Sequence, residues 1–297
     1  MYDLIIIGAG PAGLTSALYA LRANKKVLII EKESIGGQMA SSPLIENYPG
    51  FDSISGAELS NNMFNQLSNF DFDIEIEEVI KIIPGKIKKV ITTDNSYETK
   101  SVIIATGSKY RLLGIENEEN LIGKGIHFCV ACDGAFYKDK VVSVIGGGNS
   151  AIINAITLSD LCSKVYLIQN LSKLTGEKVL IDKLNKKDNV EIILNANIDK
   201  IFGDDELESI DVKVNNKVRN IKIDGMFISI GLNPETDIFK DILSLNDYGY
   251  IKSDDCVTEL EGVFVAGDCR DKKVRQITVA TSDGTIASQE ALKYLEG

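Results

Sequence analysis

The sequence predicts an α/β protein made of two similar nucleotide-binding domains, each a Rossmann-like three-layer unit, with the first split in sequence. Three observations carry that prediction. The chain opens with an apolar run, YDLIIIG, then glycines, a helical pattern and a second apolar run, KVLIIE. The same order returns from Lys140 as KVVSVIG, glycines, a helical pattern and KVYLIQ. A late apolar run, GVFVAGD, precedes one more helix. Strand, tight turn, helix and strand in that order form a parallel βαβ unit, and two copies imply two nucleotide-binding halves.

The elements follow in order. Leu4 to Ile7 form a buried first strand, and Leu14, Leu18 and Leu21 fall on one helical face. Residues 71 to 105 read as short strands, FDIEIEEVIKI, KIKKVITT and KSVIIATG. The second unit's helix runs through Ile152, Ile156 and Leu161, and residues 190 to 231 again read as strands, VEIILN, SIDVKV, RNIKI and GMFISIG. A helix from about Ile277 to Leu295 closes the chain, and its partner is the first domain. The boundaries fall near residues 114 and 245, so that 1–114 and 246–297 form one domain and 115–245 the other.

The bulk properties exclude several classes. The 297 residues are 44% hydrophobic and 25% charged, the balance of a globular protein with cores in two domains. A net charge of -11 argues against general affinity for nucleic acid or anionic membrane. No apolar run approaches the ~18 to 20 residues of a membrane-spanning helix, and Leu4 to Ile7 is too short for a secretory leader. Five cysteines, two of them close together, point to redox or metal chemistry rather than a disulfide framework, and the cytoplasm is the expected compartment.

The first glycine loop, Gly8 to Gly13, has the G-x-G-x-x-G spacing between a strand and a helix. Gly8 makes the tight turn, Gly10 lets backbone N–H groups approach a pyrophosphate, and Gly13 permits close helix packing. The helix N-terminus favours the phosphates, and Glu31 at the end of the second strand is placed to accept from an adenosine ribose. The second loop, Gly146 to Ala151, has the same form.

Cys129 and Cys132 can close a small disulfide ring, and the adjacent Asp133 can move protons as thiols form. Zinc would need about four ligands, whereas the chain has one histidine, His127, and scattered cysteines at Cys162, Cys256 and Cys269, so no metal is expected. Two inert buried thiols are the other structural reading. His127 reads as a structural residue, and the three scattered cysteines as small buried apolar groups.

Together GAGPAG, GGQ at Gly36 to Gln38, ENYPGF from Glu46, ATGS at Ala105, CVACDGAFYKDK from Cys129, IGGGNSA from Ile145, and VFVAGDCRD followed by RQI resemble the low-molecular-weight thioredoxin reductase family. The resemblance runs in order over essentially the whole chain. It implies an FAD site lined by Gly8, Gly10, Pro11, Ala12, Gly13, Glu31, Gly37, Gln38, Asn47, Val79, Ala105, Thr106, Gly107, Gly267, Asp268, Arg275, Gln276 and Ile277, with Asp268 on the ribityl chain. It also implies that Cys132 takes electrons from the flavin, that Cys129 attacks the disulfide of thioredoxin, and that Asp133 serves as acid and base. One dithiol serving two partners implies a domain rotation about the two boundaries, and the family implies a homodimer.

The chain departs from the family at one place. NADPH-dependent members carry His-Arg-Arg and a further Arg after the second strand of the second unit; the matching positions here are Gln169, Asn170, Leu171 and Thr175. A charge-assisted contact is worth ~1.5 to 3 kcal/mol, so losing three weakens NADPH binding by orders of magnitude. An NADH reader would place Asp or Glu where Gln169 stands, although Gln169 or Asn170 can still offer neutral hydrogen bonds. The second loop then reads as a retained packing element, and the chain resembles the ferredoxin-dependent flavin thioredoxin reductase branch. Lys272, Lys273 and Arg275 are the expected cations for docking a ferredoxin. A nicotinamide-dependent reductase with an altered pocket and a flavin dithiol redox sensor are the alternatives.

Overall fold

The computed structural model describes residues 1–42 and 44–297, which divide into two compact units, Met1–Lys109 with Asn233–Gly297 and Tyr110–Leu232. The chain runs β1 (Tyr2–Ile7), α1 (Pro11–Arg22), β2 (Val27–Glu31), α2 (Gly56–Asn65), β3 (Asp73–Ile76), β4 (Val79–Ile83), β5 (Lys88–Thr92) and β6 (Ser96–Ile104), and β7 (Ser108–Tyr110) leads into the second unit. There it forms β8 (Ile126–His127), a one-turn helix α3 (Val130–Asp133), β9 (Val141–Ile145), α4 (Asn149–Ser159), β10 (Lys164–Ile168), α5 (Lys178–Leu184) and β11 to β15, at Val190–Ile193, Ala196–Phe202, Ser209–Val214, Lys217–Lys222 and Gly225–Ile228. It returns through β16 (Leu232–Pro234), which pairs with β7, to β17 (Val263–Val265) and α6 (Ile277–Glu296).

In the first unit β3, β2, β1 and β6 are parallel, with β5 and β4 continuing antiparallel and β17 joining β6 in parallel. Leu4 and Ile6 face α1 and α6, while Ile5 and Ile7 face a second cluster with Phe239, Leu243 and Ile251. Covering both faces explains why the opening strand is an unbroken apolar run, since alternation then has no solvent side to mark. Each isoleucine so buried stabilises the fold by about 1.5–3 kcal/mol. Alanines and Gly284 line the α1–α6 contact; a Cβ on Gly284 would lie 2.3 Å from the Ala12 carbonyl oxygen, and Ser16 Oγ donates to the Gly284 carbonyl at 3.0 Å.

The second unit has a five-stranded parallel sheet in the order β11-β10-β9-β15-β8 and a separate antiparallel sheet of β12, β13 and β14. Val142, Val144, Val165 and Leu167 pack under α4, and Ile145, Ile168, Met226 and Ile228 pack against the three-stranded sheet. No helix among the described residues is long and apolar enough to cross a membrane.

Two features differ from the sequence reading. The second crossing lies at 232/233 rather than near 245, because Phe239 and Leu243 are buried in the first unit's core. Helices α2 and α5 and strand β12 were not expected. For α2 a local signal exists: Ser55 Oγ accepts the Glu58 N–H at 3.1 Å, a Ser-x-x-Glu start.

Candidate active site

In the first unit, β1 ends in Gly8 at φ +105°, a left-handed conformation that glycine adopts without steric cost. A Cβ there would lie 2.4 Å from the Ala105 carbonyl oxygen, and one on Gly13 would lie 1.9 Å from that of Gly8. A Cβ on Gly10 would meet nothing within 4 Å, so the middle glycine faces open space at the N-terminus of α1, where Pro11 occupies the first turn. Glu31 ends β2 and is buried. Its Oε2 accepts the Ala9 N–H at 2.7 Å and its Oε1 the Glu33 N–H at 2.9 Å, so it braces the loop while each oxygen keeps a second lone pair.

The remaining residues of the expected flavin site fall in several groups. Gly37 lies against Gly10, with its would-be Cβ 3.4 Å from the Gly10 Cα, and Gln38 sits in the same 3-10 turn. Ala105 follows β6; Thr106 Oγ1 donates to the Glu235 carbonyl at 2.7 Å, and the Gly107 carbonyl accepts the Glu235 N–H. Gly267 packs against Ala12. Asn47 Nδ2 donates to Gln276 Oε1 at 3.3 Å, and Ile277 opens α6 beside Met39, Ile45 and Ile54. Val79, on β4, belongs to the apolar cluster with Ile5 and Ile7, and no described contact joins it to the loop.

Asp268 supplies the test of fit for a flavin cofactor. Its Oδ1 is buried without a hydrogen-bond donor, although Lys272 Nζ stands 3.1 Å away in a direction that lacks hydrogen-bond geometry. Burial pushes its carboxyl upward, against the downward pull of Lys272 and Arg275. A buried acceptor in need of a donor suits a hydroxyl-bearing chain such as ribityl. Asp283, itself buried, anchors the turn. It accepts the Gly267 N–H at 3.0 Å, both Arg270 nitrogens at 2.9 and 3.0 Å, and Lys272 Nζ at 3.0 Å. Sequence reading passed over Asp283 because nothing local links it to Gly267.

This network corrects the expected docking cations. Lys272, only 7% exposed in its side chain, is held between Asp268 and Asp283. Arg275 lies 4.0 Å over the Tyr250 ring with its Nε buried. Of the three, Lys273 alone is exposed.

In the second unit Cys129 caps the one-turn helix α3, and its carbonyl accepts the N–H groups of Cys132 and Asp133 at 3.2 and 3.0 Å. That turn brings the two cysteines to a Cα separation of 5.3 Å, and they form a disulfide. Asp133 Oδ2 lies 3.3 Å from His127 Nδ1, and His127 Nε2 lies 2.7 Å from the Tyr137 hydroxyl. Cys162, Cys256 and Cys269 are all buried; burial raises the first two to about 11 and about 12 and the third upward as well, so all three are poor nucleophiles.

The second glycine loop is covered by its own chain. Gln169 is buried with its side chain against Gly147, where a Cβ would lie 2.4 Å from Nε2, and its Oε1 accepts the Asn170 N–H at 3.1 Å. The Thr175 and Gly176 N–H groups donate to the Gly147 carbonyl at 2.8 and 3.2 Å. Asn149, first residue of α4, donates to Glu177 Oε1 at 2.9 Å and accepts the Glu177 N–H at 2.7 Å. Leu171 is exposed, and exposed Lys173 and Lys178 are cations of this segment that lie outside the positions matched to the family's arginines.

Residues 2–284 match the family model described as pyridine nucleotide-disulphide oxidoreductase. The chain is 44% identical to a 34.2 kDa protein in the rubredoxin operon of Clostridium pasteurianum, over 99% of this chain and 97% of that protein. It is 39% identical to a thioredoxin reductase of Bacillus subtilis, over 100% and 95%. The crystal structure of a thioredoxin reductase from Streptococcus pyogenes superposes with a TM-score of 0.95 at 42% identity, covering 100% of this chain and 98% of that one. The chain therefore belongs to the pyridine nucleotide-disulphide oxidoreductase family, as a low-molecular-weight thioredoxin reductase-like flavoprotein whose cofactor is FAD.

Proposed function

We propose that this protein reduces thioredoxin through FAD and the Cys129–Cys132 pair, drawing its electrons from reduced ferredoxin rather than a nicotinamide nucleotide. The observation that carries the donor is the second glycine loop. Gln169, Asn170, Leu171 and Thr175 offer no positive charge, and the Glu177 carboxylate sits beside the first residue of α4, where an incoming phosphate would meet like charge. A relative in a rubredoxin operon also fits a one-electron protein partner. Lys173 and Lys178 support a second reading, a nicotinamide-dependent reductase with an altered pocket.

When bound, FAD supplies the chemistry that joins one-electron delivery to two-electron disulfide reduction. The chain's own residues do the rest. The first glycine loop and the N-terminus of α1 would hold the phosphates of FAD, Glu31 the ribose, and Asp268 the ribityl hydroxyls. Cys132 would take electrons from the flavin and Cys129 would attack the thioredoxin disulfide as a thiolate, with Asp133 moving the protons. A homodimer in the cytoplasm is part of the same proposal.

The test is anaerobic flavin bleaching followed by stopped flow. Reduced ferredoxin is expected to bleach the protein within catalytic time, and NADPH and NADH at roughly millimolar concentration to leave it yellow. Fast bleaching by NADPH sinks the ferredoxin reading. Reduced flavin that leaves thioredoxin oxidised, with both cysteines intact, favours the redox-sensor alternative.

A further inference from the structure

His127 stands between two groups that decide where its hydrogen lies. The Tyr137 hydroxyl is 2.7 Å from Nε2 and Asp133 Oδ2 is 3.3 Å from Nδ1. Burial first, and then the charge of Asp133, pushes the Tyr137 hydroxyl up to about 12, so it keeps its proton and can donate to Nε2. The opposite tautomer would turn the bare Nδ1 lone pair toward a carboxylate. The hydrogen of neutral His127 therefore sits on Nδ1, the nitrogen nearer Asp133. Tyr137 packs edge-on at 5.3 Å and Phe227 stacks at 5.5 Å, which hold the ring in that plane. Asp133 follows Cys132 directly and shares its hydrogen-bonded turn with Cys129.

We propose that His127 is a positioning residue for Asp133: its Nδ1 side holds the carboxylate beside the Cys129–Cys132 pair. This rests on the reading of those cysteines as the redox pair. The groups facing His127 are Asp133 on Nδ1, Tyr137 on Nε2 and the uncharged Phe227 ring; Asp224 and Glu206 act on Tyr137 from beyond, and Lys140 Nζ lies 5.3 Å from the Tyr137 ring centre.

The step served is oxidation of the reduced pair by a disulfide. One cysteine thiolate attacks a substrate sulfur, the substrate S–S bond breaks and the first substrate sulfur leaves as a thiolate. The second cysteine gives its proton to Asp133 and attacks the first, forming the Cys129–Cys132 bond and releasing the second substrate sulfur, which takes the proton. Two electrons and the second cysteine's proton pass from the pair to the substrate. An anchored carboxylate is in place for that transfer, whereas a free one must be ordered each time.

The experiment uses the full chain with FAD, reduced by dithiothreitol, desalted and mixed anaerobically with dithiobis(nitrobenzoate) at neutral pH. The wild type is expected to release two equivalents of coloured thiolate in a fast phase, separate from the buried cysteines. His127→Phe keeps the aromatic packing but has no donor, and is expected to react about tenfold more slowly at neutral pH. His127→Asn keeps an N–H for Asp133 and recovers most of the neutral rate. A His127→Phe protein with the wild-type rate overturns the proposal, as does a His127→Asn protein no faster than His127→Phe. Absence of the fast phase in the wild type overturns the redox-pair reading itself, and this proposal with it.

Discussion

Glu31 ends β2 and Gln169 directly follows β10, beside corresponding glycine loops, yet they treat those loops differently. Glu31 accepts the Ala9 N–H with one oxygen and keeps acceptor capacity on both, while Gly10 beyond it faces open space. Gln169 lays its neutral side chain on Gly147 and turns its oxygen to its own neighbour, and Thr175 and Gly176 bond the Gly147 carbonyl from outside. The glycine spacing is thus a steric requirement of the strand–turn–helix corner, which both units share. What a corner binds is set by the charge at the strand end and by what lies over the middle glycines.

The largest effect expected lies beneath the first loop. Asp283→Ala leaves Arg270, Lys272 and the Gly267 N–H without their buried acceptor, and urea unfolding of the flavin-free protein is expected to show a loss of about 3–5 kcal/mol. Glu191→Gln in the second unit removes surface pairs with Arg219 and Lys164 and is expected to cost under about 1 kcal/mol. Equal losses would show that the two units are braced alike.

Gly10→Val sharpens the contrast next. Its Cβ meets no protein atom, so the flavin-free melting temperature should hold, while FAD affinity falls roughly thousandfold, about 4 kcal/mol. Gly148→Val should leave flavin content and ferredoxin-driven turnover unchanged. Full flavin in purified Gly10→Val protein breaks the comparison.

Converting the second loop is expected to have a smaller effect. Gln169→His, Asn170→Arg, Leu171→Arg and Thr175→Arg together should speed NADPH bleaching by roughly a hundredfold, less than three full charge-assisted contacts because the sites are partly exposed. No gain would locate the obstacle in the Asn149–Glu177 pairing instead, and adding Glu177→Gln tests that directly.

The smallest effect separates stability from binding at Asp268. Burial raises its folded-state carboxyl, so the stability it contributes is present at acid pH and is lost as pH rises through the folded-state value. Asp268→Asn carries no buried charge, so the flavin-free variant should melt slightly higher than the parent at neutral pH, with the difference vanishing in acid. Its FAD affinity should fall about tenfold for want of a charged acceptor. Equal melting temperatures at every pH would show that Lys272 already offsets the buried charge.

Local chemistry made much of this protein legible from its residues. The two βαβ corners were readable because strand, glycine turn and helix are neighbours in sequence, and the Cys129–Cys132 pair because a single helical turn joins it. The loss of charge at Gln169, Asn170, Leu171 and Thr175 was equally plain, since it needs only an aligned position. Tertiary structure alone decided the rest. It put Lys272 into an ion pair with Asp283 instead of at a docking surface, laid Gln169 on Gly147, and set His127 between Asp133 and Tyr137. Charge and spacing along a chain say which groups exist. Which of them meet depends on how the strands stack, and burial then fixes whether a cation serves a partner or its own core.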